Sequence, residues 1–250
     1  MPYYFTMKRN ATIVLLLLAG FAARGYADEP PRTGTFEEKE ETTGVDIAYY
    51  IPEAYDKDKT YSIFVAHHGV GDGGVKMRAH MLKFLKEKDW ILICPTNAGL
   101  VRGNAGQTVK DADKVADASK SAVEKILKNY HTDKKRVLVM GYSGGGHTLA
   151  RSFEKYPETF AAMAVCSCNG PTFAFTANGN DRPVFIVRGE KDLANIVRDA
   201  GKYKDGLTRA GYKSVKSVVI PDGKHYVGEE TMRELFAWWD EAVLKHDAKK

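Results

Sequence analysis

The sequence predicts an α/β fold in which a mostly parallel central sheet is flanked by helices. Six short apolar runs recur along the chain, at 61–66, 90–94, 136–140, 161–166, 183–187 and 215–220. They read as continuous rather than alternating runs, as in central parallel strands buried on both faces. Helical periodicity fills the intervals 75–88, 110–130, 144–156, 194–210 and 229–245. In the last of these, Met232, Leu235, Phe236, Trp239 and Val243 share one face. Strand and helix in alternation, joined by right-handed crossovers, give a parallel sheet covered on both sides.

The chain divides into three expected segments. Residues 1–27 read as an export signal: Lys8 and Arg9, an apolar run over 11–23, then small residues at Gly25 and Ala27. The run is shorter than the ~20 apolar residues of a membrane span, so a secreted or periplasmic protein is expected. Residues 28–44 hold a polar leader and a first edge strand. Residues 45–246 form the main domain, which is ample for one core. It opens with Val45, Ile47, Tyr49 and Ile51 alternating with their neighbours, the pattern of a half-buried antiparallel strand.

Charge and cysteine usage narrow the function. Segment 1–27 carries three basic and no acidic side chains, so the formal charge of +5 falls to +2 without it. A near-neutral domain is a poor nucleic-acid binder. Cys94, Cys166 and Cys168 fall in or beside buried strands and read as buried thiols. Cys166 and Cys168 share one side of a strand, awkward geometry for a bridge. No Cys/His spacing points to zinc, and neither metal nor cofactor is expected.

The chemistry-bearing motif is Gly141-Tyr142-Ser143-Gly144-Gly145, set between the run 136–140 and a helical stretch. In that context G-x-S-x-G marks a sharp strand-to-helix turn that presents a nucleophilic serine. The serine then sits beside the free N–H groups of a helix start. A serine hydroxyl needs a base, and the base needs an orienting acid. Open α/β sheets place such groups at the carboxyl ends of strands. Asp192 follows the strand at 183–187 through Arg188-Gly189-Glu190-Lys191 and is the candidate acid; the competing reading makes it a helix cap. Glu190 and Asp222 are weaker alternatives, the latter in a Pro-Asp-Gly turn.

His225, after the last strand, is the candidate base. Of the other histidines, only His246 lies beyond Asp192, in a lysine-rich tail, while His80, His131 and His147 precede the acid. An oxyanion needs fixed N–H donors. Gly144, just after the serine, offers one, and Val70 in the loop His67-His68-Gly69-Val70-Gly71-Asp72 offers the second. His67, His68 and Asp72 could instead hold a metal, but no further ligand cluster supports that, and His68 reads as a histidine that fixes the loop.

His68-Gly69, the Gly-Tyr-Ser-Gly-Gly turn, Gly189-Glu190-Lys191-Asp192 and Gly223-Lys224-His225 make the chain resemble the α/β-hydrolases over nearly all of residues 45–245. The stretch YYIPEAYDKDKTYSIFVAHHG is similar to secreted esterases of the polyhydroxybutyrate depolymerase, feruloyl esterase and acetylxylan esterase group. The chain also resembles the phospholipase/carboxylesterase and dienelactone hydrolase-like families, whose compact domains lack a large lid. It departs from them in two places. Polymer esterases often carry cysteine after His-Gly, where Val70 stands here, and dienelactone hydrolases proper use a cysteine nucleophile.

The resemblance implies Ser143 as nucleophile, Asp192 as acid, His225 as base, and Val70 with Gly144 as oxyanion donors. It implies a carboxylesterase acting on a small-molecule or polymeric ester. In this fold a lid would occupy the connection after 161–166, and residues 167–182 are too few for one. Phe173 and Phe175 in that connection, with Tyr142 and Tyr226 beside nucleophile and base, are the candidate substrate contacts; core packing is the competing reading for both phenylalanines. A serine peptidase of the prolyl oligopeptidase type and a non-catalytic binding protein on the same fold are the alternative functions. Activity is expected to fall at acidic pH as the base becomes protonated.

Overall fold

The structure, a computed structural model, describes Met1 and residues 31–98, 105–171, 174–177 and 181–245, with backbone only at 105–110. The expected export signal, Phe173 and His246 lie outside the described residues.

Eight strands form one sheet in the order β1-β2-β4-β3-β5-β6-β7-β8. They are β1 (Gly34–Lys39), β2 (Asp46–Ile51), β3 (Tyr61–His67), β4 (Trp90–Pro95), β5 (Thr132–Tyr142), β6 (Ala162–Cys166), β7 (Val184–Gly189) and β8 (Val215–Ile220). β1 and β2 run antiparallel to their neighbours. The pairs from β4 to β8 are all parallel. Among the described residues five α-helices flank the sheet: α1 (Gly74–Leu85), α2 (Ala105–Asn129), α3 (Gly146–Lys155), α4 (Ala194–Arg209) and, after β8, α5 (Glu229–Trp239).

Strand pleating explains why continuous apolar runs were required. Ile63, Val65, Ile91, Ile93, Val137, Val139, Met163, Val165, Val184 and Ile186 point to one face. There they meet Val123 and Ile126 of α2, Leu149 and Phe153 of α3, and Tyr203 and Leu207 of α4. Phe64, Leu92, Leu138, Met140, Ala164, Phe185 and Val187 point to the other face, onto Met77 and Met81 of α1 and Leu235 and Trp239 of α5. The inner strands are therefore apolar on both faces where a helical layer covers each side. The edges behave differently. β8, whose run 215–220 was expected to be buried on both faces, is an edge strand and largely solvated, and β1 buries only Phe36, which stacks on its register partner Tyr49 at 5.0 Å.

Two boundaries differ from the sequence reading. β5 starts at Thr132 rather than Arg136, because Tyr61 pairs with Thr132 before the register shifts to Ile63–Val137. The inserted residues include the exposed Lys134 and Lys135, which masked the strand's start. The final helix changes to a π-helical turn at Asp240–Leu244. Trp238 is buried as well as Trp239, stacked on Phe185 at 5.3 Å, so the apolar face is wider than expected. Cys94, Cys166 and Cys168 are all buried free thiols, and desolvation pushes each thiol up. Among the described residues no helix is long and apolar enough to cross a membrane.

Candidate active site

The carboxyl ends of β3, β5, β7 and β8 bring the site together. β5 ends at Tyr142 in extended conformation, and Ser143 turns to φ +52° to begin a single 3-10 turn leading into α3. A non-glycine residue in the left-handed region stores strain that its surroundings must hold in place. The surroundings do so by hydrogen bonding: Ser143 N–H donates to Ser167 O at 3.1 Å, and Asn169 N–H donates to Ser143 O at 3.0 Å. Gly145 completes the turn. A Cβ there would stand 2.6 Å from the carbonyl oxygens of both His67 and His68, so only glycine lets β3 and the turn approach this closely.

The loops that carry Asp192 and His225 are stitched to each other. After β8, Pro221–Lys224 turn the chain, with Asp222 at φ +55°. Glu190 N–H donates to Ile220 O at 2.9 Å and Lys191 N–H donates to Gly223 O at 2.7 Å. The two alternative acids are consumed here. Glu190 Oε2 accepts the Asp222 N–H at 3.0 Å, and Asp222 pairs with the Lys191 ammonium at 2.5 Å. Asp192 is left to face the histidine. Its Oδ1 accepts His225 Nδ1–H at 2.7 Å and the Leu193 N–H at 2.7 Å. Asp192 does not cap α4, whose cap position is Leu193 with no side-chain cap bond. The Asp192 side chain is 0% exposed and His225 21% exposed. Asp192 Oδ2 is buried and has no hydrogen-bond partner among the described residues. On the other side of the ring, His225 Nε2 lies 3.0 Å from Ser143 Oγ.

The loop after β3 is fixed by His68. A carbonyl can only accept and a backbone amide can only donate, which sets the tautomer. Nδ1–H donates to Gly69 O at 2.8 Å, and Nε2 accepts the Asn97 N–H at 2.9 Å. Burial lowers the His68 pKa, in keeping with a neutral ring. Asn97 Nδ2 in turn donates to Thr148 Oγ1 on α3 at 3.0 Å. Gly69 lies directly on the serine, since a Cβ there would be 3.2 Å from Ser143 Cβ. Val70 follows it with an exposed side chain (40%), and Gly144 sits buried in the turn after the serine. Asp72 pairs with Lys76 at 3.6 Å. Among the described residues no group of three His, Cys, Asp or Glu side chains could hold a metal ion.

The candidate substrate contacts divide. Tyr226 is 56% exposed beside His225. Phe175 is buried in the core, its ring against Tyr203 and Tyr212 at 6.0 and 6.3 Å, and the groove it borders, with Lys202, Gly206 and Arg209, includes none of Ser143, Asp192 and His225. Tyr203 of α4 and Tyr212 just beyond it supply the aromatic partners that favour the core-packing reading. Tyr142 directs both its hydroxyl and its ring at His225. His147, one turn beyond the serine, keeps a buried Nδ1 with no partner among the described residues, and burial lowers its pKa. Two contributors were missed in the sequence. Asn97 carries no motif, and His80 reaches the base loop from α1, donating from Nε2 to Val227 O at 2.7 Å. Neither has a local signal, because each acts across a long sequence separation.

Comparison with solved structures matches this architecture. A ferulic acid esterase from Anaeromyces mucronatus, solved with ferulic acid, superposes with TM-score 0.62 at 14% identity, over 84% of this chain and 90% of that one. The chain has the α/β-hydrolase fold. Thermogutta terrifontis esterase 2, in a form phosphorylated by paraoxon, gives 0.63 at 13% identity, over 83% and 94%. Zea mays acyl-protein thioesterase 2 gives 0.57 at 18% identity, over 79% and 98%. No protein-family model and no curated protein sequence matches the chain.

Proposed function

We propose that this protein is an exported serine hydrolase that cleaves carboxylic esters, with Ser143 as nucleophile, His225 as base and Asp192 as orienting acid. The observation that carries the reading is the continuous relay on a strained serine. Asp192 Oδ1 holds His225 Nδ1 at 2.7 Å, and His225 Nε2 stands 3.0 Å from Ser143 Oγ. In this mechanism Ser143 Oγ attacks the ester carbonyl carbon while His225 Nε2 takes the hydroxyl proton. The buried Asp192 carboxylate stabilises the resulting imidazolium and keeps the ring in its productive tautomer. The amides of Gly144 and Val70 receive the negative charge on the carbonyl oxygen. Collapse of the tetrahedral intermediate passes the proton to the leaving alcohol and leaves an acyl-serine. Water, activated by the same histidine, then releases the acid.

The substrate class follows from the short connection between β6 and β7. With 17 residues from Ser167 to Pro183 there is no room for a cap domain. An uncovered site suits a bulky or polymeric ester, or a small acyl group displayed on a polymer, better than a long acyl chain that needs a deep pocket. Esterases among the fold neighbours support the reaction class. The basic and apolar pattern of residues 1–27 supports a secreted or periplasmic destination.

Hydrolysis of short and medium p-nitrophenyl esters by the wild type and by Ser143→Ala tests the reading. Ser143-dependent release of p-nitrophenol is expected, with preference for short acyl chains. Undiminished activity in Ser143→Ala would remove Ser143 as nucleophile. Absence of both hydrolysis and fluorophosphonate labelling at Ser143 in the folded protein would favour a binding role instead.

A further inference from the structure

We propose that Tyr142, the residue before the nucleophile, is a positioning residue for His225. Its hydroxyl pins the main chain of the base, and its ring face stabilises the imidazolium formed as Ser143 is deprotonated. The inference rests on the serine-hydrolase reading above.

Three contacts carry it. The Tyr142 hydroxyl donates to His225 O at 3.1 Å. Its ring stacks on the His225 imidazole, with centroids 5.2 Å apart and planes inclined by 29°. Gly69 also packs against the tyrosine, where a Cβ would come within 3.2 Å of the ring. Tyr142 therefore touches both the loop after β3 and the loop that carries His225. An aromatic face attracts a cation within about 6 Å of its centroid. The imidazole gains that attraction only when it becomes charged, which is the moment of proton transfer. A contact that strengthens along the reaction accelerates it, whereas one equally strong throughout does not.

The base loop is held from its far side too. His80 of α1 donates to Val227 O at 2.7 Å and meets the Tyr226 ring edge-on at 5.4 Å. The ionisable groups around the stacked pair are Asp192 after β7, Asp72 after β3, Cys168 after β6, and Tyr226 on the base loop itself. Burial, with Asp192 and Asp72 nearby, raises the Tyr142 phenol, so it stays a neutral donor.

The test separates ring from hydroxyl. NMR of 13C-labelled histidine rings follows His225 through a pH titration in the wild type, Tyr142→Phe and Tyr142→Leu, with His225→Asn assigning the signal. Phenylalanine keeps the π face, so its titration midpoint stays within about 0.2 pH units of wild type. Leucine keeps apolar cover but lacks the face, and its midpoint moves about half a unit lower. A midpoint in Tyr142→Leu that is unchanged or higher overturns the role of the ring. Should that variant not fold, pentafluorophenylalanine at position 142 keeps the shape and reverses the ring quadrupole, and the same downward shift is required of it.

The hydroxyl is read kinetically. Tyr142→Phe lowers kcat about fivefold, the equivalent of one neutral hydrogen bond, with KM unchanged. Full kcat in Tyr142→Phe overturns the pinning role. A wild type with no Ser143-dependent hydrolysis overturns the serine-hydrolase reading, while the NMR titration still decides whether the ring favours the charged base.

Discussion

Replacing Gly189 by alanine tests how tightly the loops that carry Asp192 and His225 are coupled. Gly189 closes β7 opposite Ile220 of β8. A Cβ there would stand 2.2 Å from Gly223 O, 2.4 Å from Gly223 C and 2.7 Å from Lys224 O, where ordinary contact begins at 3.4 Å. The obstacle is backbone, so no rotamer change relieves it. The segment 223–224 must retreat by about 1 Å, set by the shortfall from van der Waals contact. His225 follows immediately. Its two bonds, at 2.7 and 3.0 Å, would lengthen beyond the ~3.2 Å at which N–H···O bonds are effective.

Misplacement of a catalytic group by that distance costs on the order of 100-fold in rate. The steric conflict costs about 1–3 kcal/mol in stability. The assay is kcat/KM on an activated ester, with urea unfolding of the same preparation. Gly201→Ala is the matched control. It lies inside α4 with nothing within 4 Å of the methyl that alanine would add, so it should keep full activity and gain up to about 1 kcal/mol from helix propensity. A Gly189→Ala protein that folds and retains more than one third of wild-type kcat/KM would refute rigid coupling of the two loops.

Three further outcomes follow from the same geometry. Asp192→Asn should lower kcat by about 10³- to 10⁴-fold by stabilising the wrong tautomer of His225; a loss under tenfold, measured on the same ester, would assign the orienting role elsewhere. His67 is buried at the end of β3, and desolvation, with His68 beside it, lowers it to about 3. An unfolded histidine titrates near ~6.5. Between those values the unfolded chain binds a proton that the folded protein does not, so this stability is complete above ~6.5 and is lost as pH falls toward 3. Urea unfolding at pH 5 should give a free energy about 2 kcal/mol below that at pH 7.5, and His67→Gln should lessen the difference; an equal difference in both proteins would exclude His67 as its source. Tyr203→Phe removes the 2.8 Å donation to Gly146 O behind the nucleophile turn and should cost about 1 kcal/mol in denaturant unfolding; unchanged stability would mean that this buried bond adds nothing.

Much of the site was legible because its signals are local. Ser143 was marked by glycines on both sides, and a sharp turn needs them within five residues. Asp192 and His225 were marked by their places just past strand ends, where an open parallel sheet gathers its functional groups. The choice among Glu190, Asp192 and Asp222 was harder, since all three carboxylates lie within two neighbouring loops. The structure separates them through partners: Glu190 takes a backbone amide and Asp222 takes Lys191. Phe175 shows the opposite failure, because an aromatic in a short connection fits either a pocket wall or a core.

The sequence by itself determined the order of strands and helices, the double-sided burial of the inner strands and the residue types at the nucleophile turn. These depend on periodicity and on backbone sterics, which act between near neighbours. Only the tertiary structure decided that Phe175 belongs to the core, that Tyr142 faces His225, and that His80 and Asn97 brace the loops. The hydrogen bonds behind the last two join residues from 29 to 147 positions apart. No local pattern specifies such pairs, because they exist only after the sheet has brought distant strand ends to one edge.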